Sequence, residues 1–399
     1  MPVTSGPSRL VLRRESSLPQ RLSGNTRFLV PCRLAADRRQ SPLRQRRFAV
    51  FTPGGIVISS GSVKTQMIGI IGGSGFIGTR LARRLSARND PFRVLDKNVE
   101  GAFRDRAVRV DVRRNDALRA VLLDSDEGAF DTVINLAAEH RDDVRPTSLY
   151  EEVNVRGAEN VCVAAEAAGV RRIIFTSTVA VYGFAPVGTD ESGPINPFNE
   201  YGRTKAKAEE VYRRWQSADP DRSLVIVRPT AVFGEGNRGN IYNLFRQIAS
   251  DRFVMVGSGT NRKSIAYVEN VAAFLESQTR AAPGVAVYNY VDKPDYSMID
   301  LVAEIDGALG RARRQRPRMP YALGMLGGYA FDVLSAVTGH QYAVSSVRVR
   351  KFAADTVFTS NTLPHTGFVP PVSLRDAIRR TIRYEFLENH SGEQTYQTE

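Results

Sequence analysis

Tyr201 and Lys205 stand four residues apart in a stretch with helical patterning, so both side chains fall on one helix face. A phenol whose pKa lies near ~10 is a poor base at neutral pH. A neighbouring ammonium stabilises the phenolate and makes the pair a proton relay for a substrate hydroxyl. Taken alone, the spacing reads equally well as a half-exposed tyrosine beside a solvated lysine. A second signal lies upstream, where Thr176, Ser177 and Thr178 leave a predicted strand and a sharp turn follows, ending in Tyr182 and Gly183. A hydroxyl at Thr178 is placed to orient the reacting oxygen for Tyr201, although β-propensity alone would also account for the threonines.

A proton relay needs a hydride acceptor, and the sequence offers a place for one. Gly72, Gly75 and Gly78 form a turn between the first predicted strand and helix, with Phe76 and Ile77 inside it. Such a turn brings backbone close to a pyrophosphate and aims the free N–H groups of a helix start at it. Asp96 ends the second strand, where a carboxylate accepts from adenosine ribose hydroxyls and favours NAD over NADP; Lys97 partly offsets that preference. Asp111 and Val112 follow the third strand and are expected at the adenine, with a turn cap as the competing reading for Asp111. Leu136, Ala137 and Ala138, after Asn135, close the fourth strand with residues that leave room for a cofactor, or that simply pack tightly.

These residues need an element order to position them, and the patterning supplies it. Predicted strands cover 67–71, 92–96, 107–111, 132–137, 172–177 and 223–228; predicted helices cover 78–87, 116–123, 150–168 and 201–215. Strand–helix alternation implies parallel pairing through right-handed crossovers, hence an α/β, doubly wound (Rossmann) parallel sheet. After Gly234 the alternation breaks up, which implies a smaller C-terminal substrate lobe that returns segments to the sheet. The expected division is a basic leader over 1–66, an NAD-binding domain over 67–234, a mainly substrate-binding lobe over 235–385 and a flexible tail over 386–399.

Together the motifs resemble an extended short-chain dehydrogenase/reductase of the NAD-dependent nucleotide-sugar epimerase/dehydratase group. The glycine turn, Asp96, Asp111 with Val112, the strand end at 135–138, Asn154 with Gly157 and Asn160, Thr178, Tyr201 with Lys205, Arg228 with Pro229, and Phe233 with Gly234 come in that family's order over about residues 67–385. The resemblance implies NAD as cofactor, with Asn154 on its side of the site. It also implies Tyr201 as acid/base, Lys205 as its partner and ribose anchor, Thr178 as hydroxyl aid, and a homodimer built on two helices. Sugar dehydratases of this kind carry Asp-Glu directly after the hydroxyl position. Val179 and Ala180 stand there instead, so the resemblance implies a UDP-sugar 4-epimerase-like enzyme acting through a transient keto sugar. The alternatives are an NAD(P)-dependent reductase or dehydrogenase of a keto-sugar or other alcohol, and a catalytically silent NAD-binding regulator. The intact trio disfavours the regulator. Lys263, Arg262 and Asn240 are candidate contacts to a nucleotide diphosphate, each weighed against a solvated loop.

The bulk properties are consistent with this reading. The formal charge of +13 sits mainly in residues 1–66, which hold twelve Lys/Arg against two acids and leave +3 for the rest. A nucleic-acid partner is therefore not expected. The leader resembles an organelle transit segment, or else precedes the true start at Met67. A cytoplasmic enzyme is expected, with organelle import if the leader is genuine. Cys32 and Cys162 make no disulfide framework, and the four scattered histidines make no metal site. No run is long and apolar enough to span a membrane. The most apolar stretch, 321–338, follows Arg311, Arg313, Arg314, Arg316 and Arg318. It is expected to be a core or dimer helix behind a solvated basic loop. An interfacial contact with anionic lipid is the competing reading, and the arginines could also face a diphosphate.

Overall fold

A computed structural model describes residues 30–31, 48–52, 55–59, 66–123, 128–141, 144–312, 316–338 and 345–396. The chain divides into two compact units, Met1–Lys64 and Thr65–Glu399. In the first, Val30–Pro31, Phe48–Thr52 and Gly55–Ser59 pair as an antiparallel sheet. Most of residues 1–66, and the leader reading with them, lies outside the described residues.

The second unit is built on a seven-stranded, all-parallel sheet. Its strands are β1 (Gln66–Ile71), β2 (Phe92–Asp96), β3 (Ala107–Arg109), β4 (Ala129–Asn135), β5 (Arg172–Thr176), β6 (Ser223–Pro229) and β7 (Gly284–Tyr290). They lie in the order β7-β6-β5-β4-β1-β2-β3. The order reverses direction beside β1, which opens a crevice at the carboxyl ends of β1 and β4, where a doubly wound sheet takes its ligand. The strands are near-continuous apolar runs because both faces are covered. On one face pack α2 (Asn115–Leu123), α3 (Gly157–Ala167) and α4 (Glu200–Ser217), with Leu118, Val161 and Tyr212 in the core. On the other pack α1 (Phe76–Ala87) and α5 (Val268–Ser277), through Leu81, Leu85, Val271 and Phe274. The predicted elements are found within a few residues of their expected bounds. One differs in kind: before α3 the chain passes through a π-helical stretch, Glu151–Arg156, that carries Asn154.

The chain after β6 has its own core around Phe233, Phe245, Ile265, Leu301 and Ile378. It returns β7 to the main sheet next to β6. Two features depart from expectation. The C-terminal residues expected as a flexible tail pack: the Tyr396 N–H donates to the Gly236 carbonyl at 2.8 Å, and its hydroxyl to Thr79 at 3.1 Å. The apolar stretch forms a helix, α6 (Tyr321–Thr338), but not a core helix: Gly324, Met325 and Gly328 alone are buried in it. Its glycine side rests mainly on α7 (Ser346–Ala353), with Val256 and Met319 also against Gly324. No described helix is long and apolar enough to cross a membrane.

Candidate active site

The cofactor end is shaped by backbone. Gly72 has φ +75°, and a Cβ there would lie 2.7 Å from the Ala137 nitrogen, so β1 and β4 can diverge this tightly only at a glycine. Gly75 caps α1, leaving the first N–H groups of that helix facing the crevice. Asp96 accepts from the backbone N–H groups of Ser74 and Asn98, both at 3.0 Å, and so ties the glycine turn to the end of β2. Asp111 is held by the Arg113 guanidinium, which keeps its carboxyl below the usual carboxylate range. Glycine turn, helix start, Asp96 and Asp111 form a continuous trough that fits a dinucleotide.

The trough opens into a cleft of about 1370 Å³ that also holds the reacting end. Tyr201, Lys205 and Thr178 line it, together with Gly72, Gly75, Phe76, Ile77, Gly78, Asp96, Asp111, Val112, Leu136, Ala137 and Ala138. Asn240 and Lys263 line it as well. Two expected residues do not. Asn154 is buried and braces the site from behind: it accepts from the Glu139 N–H at 2.8 Å and donates to the Glu139 carbonyl and to Thr204. Arg262 is exposed outside the cleft, and its backbone N–H donates to Asp355. Strand alternation explains the difference, because neighbours on one strand point to opposite faces. Lys263 donates to the Ala354 carbonyl at 2.6 Å, and burial lowers its pKa to about 8.

The trio is positioned by an N-cap and a close approach. Asn199 caps α4 by accepting from the Gly202 N–H at 2.9 Å. A Cβ on Gly202 would lie 2.5 Å from the Ala180 carbonyl, so the glycine lets the turn after β5 sit against the start of α4. In that turn Thr178 Oγ1 accepts from the Ala180 N–H at 3.1 Å. Its own proton is therefore free to point elsewhere. Lys205 is 1% exposed, and burial lowers its pKa to about 7.

Sequence reasoning missed the support beneath. Glu209, one turn beyond Lys205, receives Arg228 at 2.8 and 2.5 Å and the Ser177 hydroxyl at 2.5 Å. Arg228 also donates to Tyr182, which donates to Asn289. His140, whose ring lies 6.5 Å from that of Tyr201, was also missed; burial pushes its pKa down. Phe184 and Phe198 pair at 4.7 Å on the cleft wall, and both are exposed. The periodicity of α4 signalled only that position 209 faces inward, and nothing local signalled the aromatic pair.

A family model described as the NAD dependent epimerase/dehydratase family matches residues 68–285. The chain belongs to this family. It is an NAD-dependent enzyme of the epimerase type, as the glycine turn and the trio anticipated. It is 49% identical over 332 residues to N-acetyl-alpha-D-glucosaminyl-diphospho-ditrans,octacis-undecaprenol 4-epimerase of Escherichia coli O157:H7, covering 83% of this chain and 98% of that relative. A UDP-glucose 4-epimerase of Vibrio cholerae is 28% identical, over 78% of this chain and 93% of its own. Among solved structures, the UDP-glucose 4-epimerase of Thermus thermophilus in complex with NAD shares the fold, with a TM-score of 0.61 at 20% identity over 80% of this chain and 98% of that one.

Proposed function

We propose that this chain interconverts the C4 epimers of an N-acetylhexosamine carried on a lipid diphosphate. The observation that carries the reading is the convergence of Thr178, Tyr201 and Lys205 on the cleft that also holds the dinucleotide trough. The 49% identical relative, matched over nearly its whole length, supplies the substrate class. Bound NAD supplies a reversible acceptor for the hydride of the carbinol carbon. The rest of the chemistry belongs to side chains. Tyr201 takes the proton of the 4-hydroxyl as the carbon is oxidised; after the keto sugar turns to present its other face for return of the hydride, Tyr201 gives the proton back to the carbonyl oxygen. The Lys205 ammonium favours the phenolate form of Tyr201. Thr178, its oxygen already accepting from Ala180, donates its proton to the substrate oxygen. Val179 and Ala180 offer no carboxylate to remove water, so the keto sugar is reduced rather than dehydrated.

A nucleoside diphosphate as carrier is the second reading, favoured by the Vibrio cholerae relative. Purified protein with NAD but no reduced cofactor is incubated with undecaprenyl-diphosphate-linked N-acetylglucosamine, and separately with the UDP-linked sugar. Formation of the galacto epimer from the lipid-linked substrate alone, or much faster from it, is expected. Conversion of the UDP-sugar alone would move the assignment to the second reading. Product only with added NADH would replace epimerisation with net reduction.

A further inference from the structure

Helix α6 carries an apolar surface that the fold leaves unused. Its glycine side rests on α7, and a Cβ on Gly328 would meet the Ser346 backbone at 2.7 Å. Around the rest of the helix, Leu323, Leu326, Tyr329, Val333, Leu334 and Val337 are exposed, Leu326 to 67% and Val337 to 79%. At 3.6 residues per turn these positions fall on one continuous arc of about 140° of the circumference. No charged side chain interrupts them. Asp332, the helix's single charged residue, turns toward α7 and accepts from the Ser346 N–H. Scattered exposed leucines are ordinary, but a contiguous apolar arc of this kind marks an interaction surface.

The surrounding charge selects the partner. Residues 307–354 contain Arg311, Arg313, Arg314, Arg316, Arg318, Arg348, Arg350 and Lys351, and Asp332 is their only acid. Arg316 is engaged by Asp306 and Asp251, whereas Arg318 and Arg350 are exposed. A second copy docked on this arc would bring two such basic sets together. An anionic bilayer would meet apolar arc and cations at once. No described helix is long enough to cross, so α6 would lie in the plane of the interface.

The arc is also connected to the cleft. Helix α7 runs from it directly into residues 354–358, which form part of the cleft wall, where Lys263 holds the Ala354 carbonyl. We propose that α6 is an interfacial helix that seats its apolar arc at the headgroup–acyl boundary of an anionic membrane. The docking itself does not depend on the proposed substrate. Its purpose does: a docked α6 holds the substrate end of the cleft near the lipids in which a lipid-diphosphate sugar resides.

Full-length protein loaded with NAD is floated with vesicles of phosphatidylglycerol and phosphatidylethanolamine that contain no substrate. The wild type is expected to float, and Leu326→Glu with Val337→Glu to lower the bound fraction about tenfold or more. Tyr329→Trp places an indole on the arc, and brominated acyl chains are expected to quench it. That readout separates insertion of α6 from attraction of the basic leader by charge alone. Retained turnover of detergent-dispersed substrate shows that the glutamate variant is folded. Wild-type protein that stays unbound, an indole reporter that brominated chains leave unquenched, or a glutamate variant that floats as well as wild type overturns the proposal. So does light scattering in which the variant only turns a non-floating dimer into a monomer. Because the vesicles hold no substrate, this result and the epimerase assay can fail independently.

Discussion

The Lys205 ammonium lies 4.1 Å from the centre of the Phe175 ring. The aromatic face offers a buried cation a weak partner. The nearest carboxylate along the helix, Glu209, has both oxygens taken by Arg228. Among the described residues Lys205 forms no ion pair, and Glu209, already engaged by Arg228, only partly offsets its burial, so its charge remains available to an anion in the cleft. The same arrangement makes the residue costly, since burial lowers its pKa from 10.5 to about 7.

That cost predicts a stability that depends on pH. Below about 7 Lys205 is protonated in both folded and unfolded chains, and the native state bears the whole cost of burying the charge. Between about 7 and 10.5 the folded protein sheds the proton first, and the cost is relieved at up to about 1.4 kcal/mol per pH unit. Lys205→Met should therefore raise the Tm of cofactor-stripped protein, and raise it more near about pH 6 than near about pH 9. It should also abolish turnover. Thermal melts at the two pH values check this, and an equal shift at both would refute the assigned burial cost.

Tyr201→Phe removes one hydroxyl from the cleft wall and leaves the glycine turn and Asp96 untouched. NAD affinity should change by less than about threefold, while turnover falls by about 10³-fold or more, since general acid–base catalysis contributes on that scale. Titration of cofactor fluorescence and a coupled epimer assay measure the two separately. Near-normal turnover would remove Tyr201 from the reacting centre.

Glu209→Gln tests the support under the trio. The Arg228 and Glu209 side chains are each only 4% exposed. Removing one charge leaves the other buried and uncompensated, a change that costs about 3–5 kcal/mol. A Tm drop of several degrees is expected. Replacing both with apolar residues should cost less than the single change, because no orphan charge remains. A single variant as stable as wild type would mean that Arg228 finds another partner.

How far the site could be read from the sequence follows from the distance between partners. The glycine turn, Asp96, and Tyr201 with Lys205 were legible because their chemistry depends on spacings of a few residues within one element. Arg228 with Glu209, Tyr182 with Asn289, and Asn154 with Thr204 join residues 19 to 107 positions apart, and no local pattern encodes those pairings. Arg262 and Lys263 were equivalent as sequence, and strand register alone separated them. Helix α6 was found at its expected bounds but not in its expected setting. An apolar helix has the same composition whether protein covers it or not, and here α7 covers one side.

Gly202 links the two halves of the trio, and its replacement should separate positioning from binding. A methyl group there would press on the Ala180 carbonyl at 2.5 Å, a backbone atom that cannot swing aside. The relief must come from a shift of the turn after β5, which carries Thr178, away from the start of α4, which carries Tyr201. In Gly202→Ala the cofactor trough is untouched, so NAD affinity should hold. A misplacement of about 1 Å is enough to lower turnover by about 10²-fold. The loss should fall on kcat, with KM changing little, because this turn carries Thr178 and none of the residues proposed for the diphosphate. Steady-state kinetics with a saturating lipid-linked sugar provide the measurement. A variant whose KM rises while kcat stays at the wild-type value would show that the turn positions the substrate rather than the reacting hydroxyls.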